Sequence, residues 1–425
     1  MNTFPALNRR QALALAGAST MPTLAFSQTR TLKIGYVSAF SGVRAPFGVA
    51  DEWHLGKMRA FLKEGLEIGG KRYPVEIIVK DNQSESNRSQ QVVSDLVLRE
   101  KVDLMLVQDG EAATSAGQLC DVHGIPMLST MMPWQAFLFS RNGTLSKGFP
   151  FSFNFFWGAD EVIKNFVAMW DSVKTNKVVG TLYVDNPVGQ ALADPLRGMP
   201  ATLRSSGYNE AASSFFKLTT DDFSNQIASF KAKNTQILSG FMYESHFTTF
   251  WKQAQQAGLR PDICSMGSAF LFPSALKALG NAGNGMTTEV WWTPTFPYRS
   301  SLTGQTAQAF AAEWEKTTGH QWTQPLGYTH AIWEVALHAL RTAADPLDRK
   351  AVRDAIRDTV LDTIVGKVDF KNSPIKSVAK TGLVAGQWRR TTEGSRFPYE
   401  LVVVNNSYAK NIPLGGELKL LSQLK

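Results

Sequence analysis

The sequence predicts an α/β protein built from two doubly wound, Rossmann-like lobes. Strand and helix patterns alternate along nearly the whole chain, and 425 residues exceed the size of one ordinary hydrophobic core. The alternation occurs twice, with an aromatic, extended stretch at residues 151–157 between the two halves. Because such alternation produces parallel sheets, we expect a ligand beyond the carboxyl ends of the strands.

The first strand–helix–strand unit lies in residues 32–83. An apolar, β-prone run at 32–37 ends in a Ser/Gly turn, and Gly69-Gly70 precedes the next strand at 73–79. Between them, four apolar residues recur at the spacing of one helical face: Leu55, Met58, Leu62 and Leu66. We therefore expect a helix that Gly69-Gly70 terminates and a parallel pair of strands.

The remaining elements complete two lobes joined by a three-segment hinge. Further strands of the first half are expected at 102–107 and 125–129, and those of the second half at 177–183, 211–217, 236–242 and 262–266. Residues 288–293 are expected to cross back between the lobes. Lobe 1 is thus predicted to comprise 28–152 and 294–368, and lobe 2 to comprise 153–293 and 369–425.

The N-terminus has the pattern of a secretory signal peptide at residues 1–27. Arg9-Arg10 precede an apolar run, and Ala25-Phe26-Ser27 places small residues where a signal peptidase reads them. The signal is twin-arginine-like, and Sec export stays open. We expect cleavage near Ser27 and no lipid anchor, since no cysteine lies there.

The distribution of charge argues against nucleic acid as a partner. The formal charge of +8 becomes +6 once Arg9 and Arg10 are removed, and the basic residues are scattered. No basic stripe is interleaved with aromatics, so nucleic acid is not expected to bind.

Cys120 and Cys264 fall in different predicted lobes, and we expect both to be buried and unpaired.

Several short motifs are spread over most of the chain: Lys33-Ile34-Gly35, Ser41-Gly42, Phe47-Gly48, Gly69-Gly70, Asp81-Asn82, and the segments 250–259 and 359–370. Together they resemble the leucine/isoleucine/valine-binding protein family, the type I periplasmic solute receptors of ABC importers. The resemblance implies the periplasmic binding protein type I fold, a small-molecule solute and an ABC transporter permease in the inner membrane as partners, and a periplasmic location. We expect a monomer without a cofactor.

The strand ends then give the candidate ligand-binding residues: Ser41, Arg44, Phe47, Gly110, Glu111, Met131, Met132, Trp134, Tyr243, Ala269 and Phe270. Phe47 and Trp134 are predicted walls of the site, with Trp134→Ala weakening the ligand at least about tenfold, roughly 1.4 kcal/mol. Arg44 is the candidate partner for a ligand carboxylate.

The resemblance also implies which groups would hold an amino acid. Its ammonium-binding acid falls on Ala269 and one aromatic on Val188, so both groups are missing here. A buried ammonium without an anion costs several kcal/mol, and we therefore expect an aromatic or carboxylate solute rather than a standard amino acid. A branched-chain or amide amino acid held by Glu244 or Glu111 remains the alternative.

Other functional classes have less support in the sequence. A periplasmic sensor subunit for a membrane kinase is the second alternative. The chain has no G-x-S-x-G, H-E-x-x-H, P-loop or G-x-G-x-x-G motif, and its six histidines are not at metal-ligand spacing. We therefore expect neither an enzyme nor a metal site.

Overall fold

The computed structural model describes residues 30–424 and folds them into two α/β lobes, each built on one main sheet. The expected signal peptide lies outside the described residues. The strands are, in chain order, β1 (Leu32–Ser38), β2 (Leu66–Ile68), β3 (Lys71–Tyr73), β4 (Val75–Asp81), β5 (Leu104–Val107), β6 (Met127–Ser129), β7 (Ser152–Phe155), β8 (Val178–Val184), β9 (Asn209–Phe216), β10 (Ile237–Phe241), β11 (Ile263–Gly267), β12 (Thr287–Val290), β13 (Val360–Thr363), β14 (Gly366–Asp369), β15 (Val378–Ala379), β16 (Val384–Arg390) and β17 (Tyr399–Asn405).

The α-helices of the described chain occupy the connections between these strands. They are α1 (Val49–Phe61), α2 (Ser86–Ser94), α3 (Ala113–His123), α4 (Trp134–Phe139), α5 (Ala159–Trp170), α6 (Pro187–Leu192), α7 (Met199–Ser205), α8 (Ser224–Ala232), α9 (Glu244–Gln256), α10 (Pro273–Leu279), α11 (Ala307–Thr318), α12 (Pro325–Thr342) and α13 (Arg349–Arg357).

The first lobe has a six-stranded sheet in the order β15-β7-β6-β5-β1-β4, and every pair in it is parallel. Its central strand β5 is buried along its whole length, as expected for a sheet covered by helices on both faces. Helix α12 is buried at most of its positions and packs on α1 and α13. The doubly wound prediction is confirmed for this lobe.

The second lobe has a seven-stranded sheet in the order β17-β16-β12-β11-β10-β8-β9. Strands β8 to β12 pair in parallel, whereas β16 and β17 add an antiparallel edge. Both of these antiparallel strands come from residues 384–405, within the range 369–425 that the sequence assigns to lobe 2. In both lobes the carboxyl ends of the parallel strands lead into the loops that form the cavity described below.

The chain crosses between the lobes after β7, after β12 and after β15. Residues 151–157 were predicted to be a crossing, but 152–155 form strand β7 of the first sheet. Strand β15 pairs with β7, with the Asn154 N–H donating to the Ser377 carbonyl at 2.9 Å and the Phe156 N–H to the Ala379 carbonyl at 3.1 Å. The first sheet thus extends past the expected boundaries at 152 and 368.

One helix end differs from the sequence prediction. Helix α1 ends at Phe61, and Leu66 lies in strand β2 rather than on the helical face. Gly69 and Gly70 connect β2 to β3, with φ of 57° and 75°. Two successive positive φ angles favour a two-residue hairpin turn, which is why this glycine pair forms a hairpin and does not cap a helix.

Both cysteines are free and buried, so that prediction is confirmed. Cys120 lies on α3 of the first lobe and Cys264 on β11 of the second. Burial raises the pKa of both thiols above the ordinary value. Within residues 30–424, no helix is long and apolar enough to cross a bilayer.

Candidate functional site

A cavity lies between the two lobes, at the carboxyl ends of β5, β6, β10 and β11. Its empty volume is about 440 Å³, a figure that includes the open space at its mouth. The residues lining it are Arg44, Phe47, Gln108, Asp109, Gly110, Glu111, Met131, Pro133, Phe156, Trp157, Val188, Phe241, Tyr243, Ser268 and Trp291. We call this space the interlobe cavity.

Arg44 is fixed in the wall of the interlobe cavity by a two-pronged ion pair. Its Nε donates to Asp109 Oδ1 at 3.0 Å and its Nη2 to Asp109 Oδ2 at 2.8 Å. Asn82 adds a 2.5 Å hydrogen bond to the same carboxylate. Although burial lowers it, the neighbouring carboxylates hold the pKa of Arg44 above its ordinary value. The guanidinium therefore stays charged.

The loop that carries Arg44 is held against the end of β4. The Arg44 N–H donates to Ser84 Oγ at 3.0 Å, and that hydroxyl donates to the Ser41 carbonyl at 2.7 Å. Gly42 has φ of 83°, and a Cβ there would lie 2.5 Å from the Gln83 carbonyl oxygen. Only glycine fits so close an approach, which explains the Ser-Gly turn before Arg44.

Glu111 connects the two lobes across the cavity. Its Oε2 accepts from Arg44 Nη1 at 3.2 Å within the first lobe. Its Oε1 accepts from the second lobe, from Asn186 Nδ2 at 2.5 Å and from the Tyr243 hydroxyl. Asn186 also donates to the Tyr243 hydroxyl oxygen at 3.0 Å. The carboxylate is thus one member of a network that spans the cavity.

The ionisation of Glu111 is set by opposing effects. Removal from bulk water raises its pKa to about 7, the Arg44 charge opposes this, and the Asp109 charge adds to it. With Glu111 protonated, Arg44 and Asp109 cancel and the polar wall is neutral. With Glu111 ionised, the wall carries one net negative charge.

The rest of the lining is largely aromatic and comes partly from the lobe crossings. Trp157 and Trp291 lie on the first and second crossings, with ring centroids 5.6 Å apart. Phe47 packs on Trp291 at 6.1 Å and on Phe272 at 4.9 Å. Three lining donors are buried without a hydrogen-bond partner in the described chain: Trp157 Nε1, Trp291 Nε1 and Ser268 Oγ.

Several residues predicted from the strand ends line the interlobe cavity: Arg44, Phe47, Gly110, Glu111, Met131 and Tyr243. Gly110 and Met131 lie in close contact, since a Cβ on Gly110 would be 2.3 Å from the Met131 carbonyl oxygen. Arg44 also has partners within the protein, because Asp109 and Glu111 accept from three of its N–H groups. A ligand carboxylate would have to share this guanidinium.

The other candidates lie outside the lining. Ser41 is exposed and donates to Asp81 Oδ2 at 2.7 Å, whereas Met132, Ala269 and Phe270 are buried in the lobe cores. Trp134 begins α4, and its ring packs 5.8 Å from that of Phe139. Trp134 is therefore not among the side chains that line the cavity.

Several contributors to the site were not among the candidates, and Gln108, Asn186 and Phe156 illustrate the reasons. Gln108 follows β5 directly, Asn186 caps α6 through a 2.8 Å hydrogen bond from the Gly189 N–H, and Phe156 begins the first crossing. The strand-end rule covers Gln108 and Asn186, since both occupy turns after parallel strands. No sequence pattern marked Phe156 as a site residue, because a crossing between the lobes and the end of a strand look alike in sequence.

Two buried histidines and the alternative carboxylate Glu244 lie outside the lining of the cavity. His54 and His330 are fully buried in the first lobe, with His54 Nε2 and His330 Nδ1 2.7 Å apart. Glu244 accepts from Ser274 Oγ at 3.2 Å and does not line the cavity. Across residues 30–424, no group of three or more His, Cys, Asp or Glu side chains is arranged to hold a metal ion.

Comparison with known proteins now identifies the family. The family model described as "Periplasmic binding protein" matches residues 31–392. The chain belongs to this family. Its fold is that of a type I periplasmic binding protein of the Leu/Ile/Val-binding kind, and the role that follows is solute binding.

Three solved periplasmic binding proteins illustrate the likeness. The branched-chain amino acid transporter substrate-binding protein LivJ of Streptococcus pneumoniae, in complex with isoleucine, is 19% identical, with coverage of 88% of this chain and 99% of that one and a TM-score of 0.68. A Rhodopseudomonas palustris ABC transporter solute-binding protein with 3,4-dihydroxybenzoic acid is 17% identical, with coverage of 88% and 98% and a TM-score of 0.70.

A second R. palustris solute-binding protein, in complex with benzoate, is 15% identical, with coverage of 87% and 97% and a TM-score of 0.68. These identities establish a shared fold only. The ligands of the three proteins, one amino acid and two aromatic acids, are properties of those proteins.

Proposed function

We propose that this protein is the exported, periplasmic substrate-binding subunit of an ABC importer and that its solute is a small aromatic acid. The solute enters the interlobe cavity, the lobes close on it, and the closed form is presented to a membrane permease. Closure follows from differential affinity, because a solute that contacts both lobes stabilises the closed state. The aromatic-acid complexes of two structural neighbours support the solute class.

The single observation that carries the proposal is the set of uncommitted groups in the cavity. Trp157 Nε1, Trp291 Nε1 and Ser268 Oγ are hydrogen-bond donors with no partner in the described chain. The two cavity carboxylates, in contrast, are already engaged by Arg44. Donors on aromatic walls suit an aromatic ring with an acceptor group such as a carboxylate.

Charge balance favours an aromatic acid over an amino acid. A ligand anion beside Arg44 is tolerated when Glu111 is protonated, and its pKa of about 7 makes that state accessible near neutral pH. An ammonium would instead need ionised Glu111 as its partner. The branched-chain or amide amino acid alternative therefore depends on this one carboxylate, since Glu244 lies outside the cavity.

The direction of pH dependence tests the proposal. Calorimetric titrations with benzoate, isoleucine and leucine are performed between pH 6 and pH 8.5. We expect benzoate to bind more tightly at low pH, because the anion favours protonated Glu111 and binding takes up a proton. Amino acids that bind, with affinity falling towards low pH, would contradict the aromatic-acid proposal. A protein that binds none of these compounds or other aromatic acids would contradict it as well.

A further inference from the structure

We propose that Gln108 accepts a hydrogen bond from the solute, so that the transported aromatic acid carries a ring hydroxyl in addition to its carboxylate. This inference rests on the proposed function and deepens it by naming the substrate class. It comes from the orientation of one buried amide, which a chain of hydrogen bonds through the first lobe fixes.

The chain of hydrogen bonds begins at the cavity wall and ends at a buried carboxylate. Gln108 Nε2 donates to Thr329 Oγ1 at 2.9 Å, and Thr329 Oγ1 donates to Asp51 Oδ1 at 2.8 Å. Ser38 Oγ donates to the other oxygen of Asp51. Gln108 is 1% exposed, and Asp51 and Thr329 are 0% exposed, so these groups are shielded from bulk water.

The single hydroxyl proton of Thr329 determines which group donates and which group accepts in each of these hydrogen bonds. Burial raises the pKa of Asp51 to about 7. A hydroxyl donates one hydrogen bond, and when Asp51 is ionised Thr329 uses that proton on its carboxylate. Towards Gln108 it can then only accept, so the NH₂ end of the amide must face Thr329. The carbonyl oxygen, Gln108 Oε1, is left at the other end of the amide.

Gln108 Oε1 is buried and has no hydrogen-bond partner in the described chain. The residue lines the interlobe cavity, where the other uncommitted side-chain groups are the donors of Trp157, Trp291 and Ser268. A buried carbonyl oxygen without a partner is costly, and a solute hydroxyl would satisfy it. The cavity therefore offers hydrogen-bond donors from the two lobe crossings and from the residue after β11. It offers one hydrogen-bond acceptor, from the residue after β5.

Such an arrangement discriminates between matched solutes. A site that leaves a buried polar group unpaired rejects an analogue lacking the complementary hydroxyl much more strongly than an apolar pocket does. We expect one hydroxybenzoate isomer to bind at least about tenfold more tightly than benzoate. The ratio of the two affinities cancels the contribution of the carboxylate that both compounds carry.

Calorimetry with benzoate and its 2-, 3- and 4-hydroxy derivatives tests the inference on the full mature chain. Wild type should prefer one isomer at least about tenfold, and in Gln108→Leu and Gln108→Met this ratio should fall to about one. Thr329→Val removes the acceptor that orients the amide and should reduce the ratio, whereas Thr329→Ser should restore it. Ser239→Ala removes an unpaired buried hydroxyl outside the cavity and should leave the ratio unchanged.

Two results would overturn the inference, and they are distinguishable from failure of the proposed function. Equal affinities of wild type for benzoate and all three isomers would show that no hydroxyl is recognised. A preference that survives in both Gln108 variants would assign it to another residue. If none of the four compounds binds to wild type, the proposed aromatic-acid function fails and the inference fails with it.

Discussion

The carboxylate of Glu111 in the first lobe accepts a 2.5 Å hydrogen bond from the side-chain amide of Asn186 in the second. The same carboxylate contacts Arg44 within its own lobe. This carboxylate, whose pKa burial raises to about 7, therefore lies between the two lobes in the wall of the interlobe cavity.

Glu111→Gln should remove the pH dependence of aromatic-acid binding. Burial raises the pKa of Glu111 to about 7, and a nearby anion raises it further. Wild-type affinity should thus fall as the pH rises above 7, by up to about tenfold per pH unit, while the variant should vary less than about twofold between pH 6 and pH 8.5.

Calorimetry in buffers of different ionisation enthalpy measures the proton uptake directly. Wild type should take up as much as about three-quarters of a proton per solute at pH 7.5, and Glu111→Gln should take up none. Glu244→Gln is the matched control, since Glu244 contacts Ser274 outside the cavity. Equal proton uptake by wild type and Glu111→Gln would exclude Glu111 as the titrating group.

Arg44→Met should destabilise the protein by about 3–5 kcal/mol, because it leaves the buried carboxylate of Asp109 and that of Glu111 without a cation. Arg44→Lys should lose less, since it keeps the charge but not the two-pronged geometry. Urea unfolding at pH 8 measures both. Arg357→Met is the control on an exposed ion pair and should cost less than about 1 kcal/mol; a similar loss from both methionine variants would contradict a special role for Arg44.

Trp157→Phe and Trp291→Phe should each weaken aromatic-acid binding by about five- to tenfold. The substitution keeps the aromatic wall and removes only the unpaired indole N–H, which we expect to donate to the solute. Trp333→Phe removes an equally buried, unpaired indole N–H from the first-lobe core and serves as the control. Affinities of the two cavity variants that match the control would show that these indoles do not contact the solute.

Phe47→Ala should weaken the solute more than Trp134→Ala does. Phe47 lines the cavity and packs on Trp291, whereas Trp134 packs on Phe139 outside the lining. We expect a loss of about tenfold or more for Phe47→Ala and less than about threefold for Trp134→Ala, measured by calorimetry. A larger loss of affinity in Trp134→Ala than in Phe47→Ala would support the sequence prediction that Trp134 is a wall of the site.

The alternating pattern predicted the fold well because each strand and helix is specified by its own apolar period. The strand-end rule then led to Arg44 and Glu111, which lie in the cavity wall. It could not give the state of those side chains: the partners of Arg44 are 65 and 67 residues away, and the orientation of Gln108 depends on Thr329, 221 residues away. Local periodicity carries no information on such pairings.

The hairpin of β2 and β3 shows a second limit of sequence patterns. Leu66 continues the helical spacing of Leu55 and Met58, yet the backbone turns at Gly65, where φ is 86°. The apolar side chain of Leu66 is buried all the same, at 1% exposure. The apolar spacing fits both a longer helix and the hairpin, so it cannot distinguish between them. The positive φ of Gly65 selects the hairpin.

The pairing of β7 with β15 has a mechanical consequence. Two of the three connections between the lobes leave the first sheet side by side, joined by the hydrogen bonds from Asn154 and Phe156. Sliding one connection past the other would break those bonds, whereas bending both out of their common plane would keep them. Joint bending of the two connections is therefore the lobe motion that is compatible with these two hydrogen bonds.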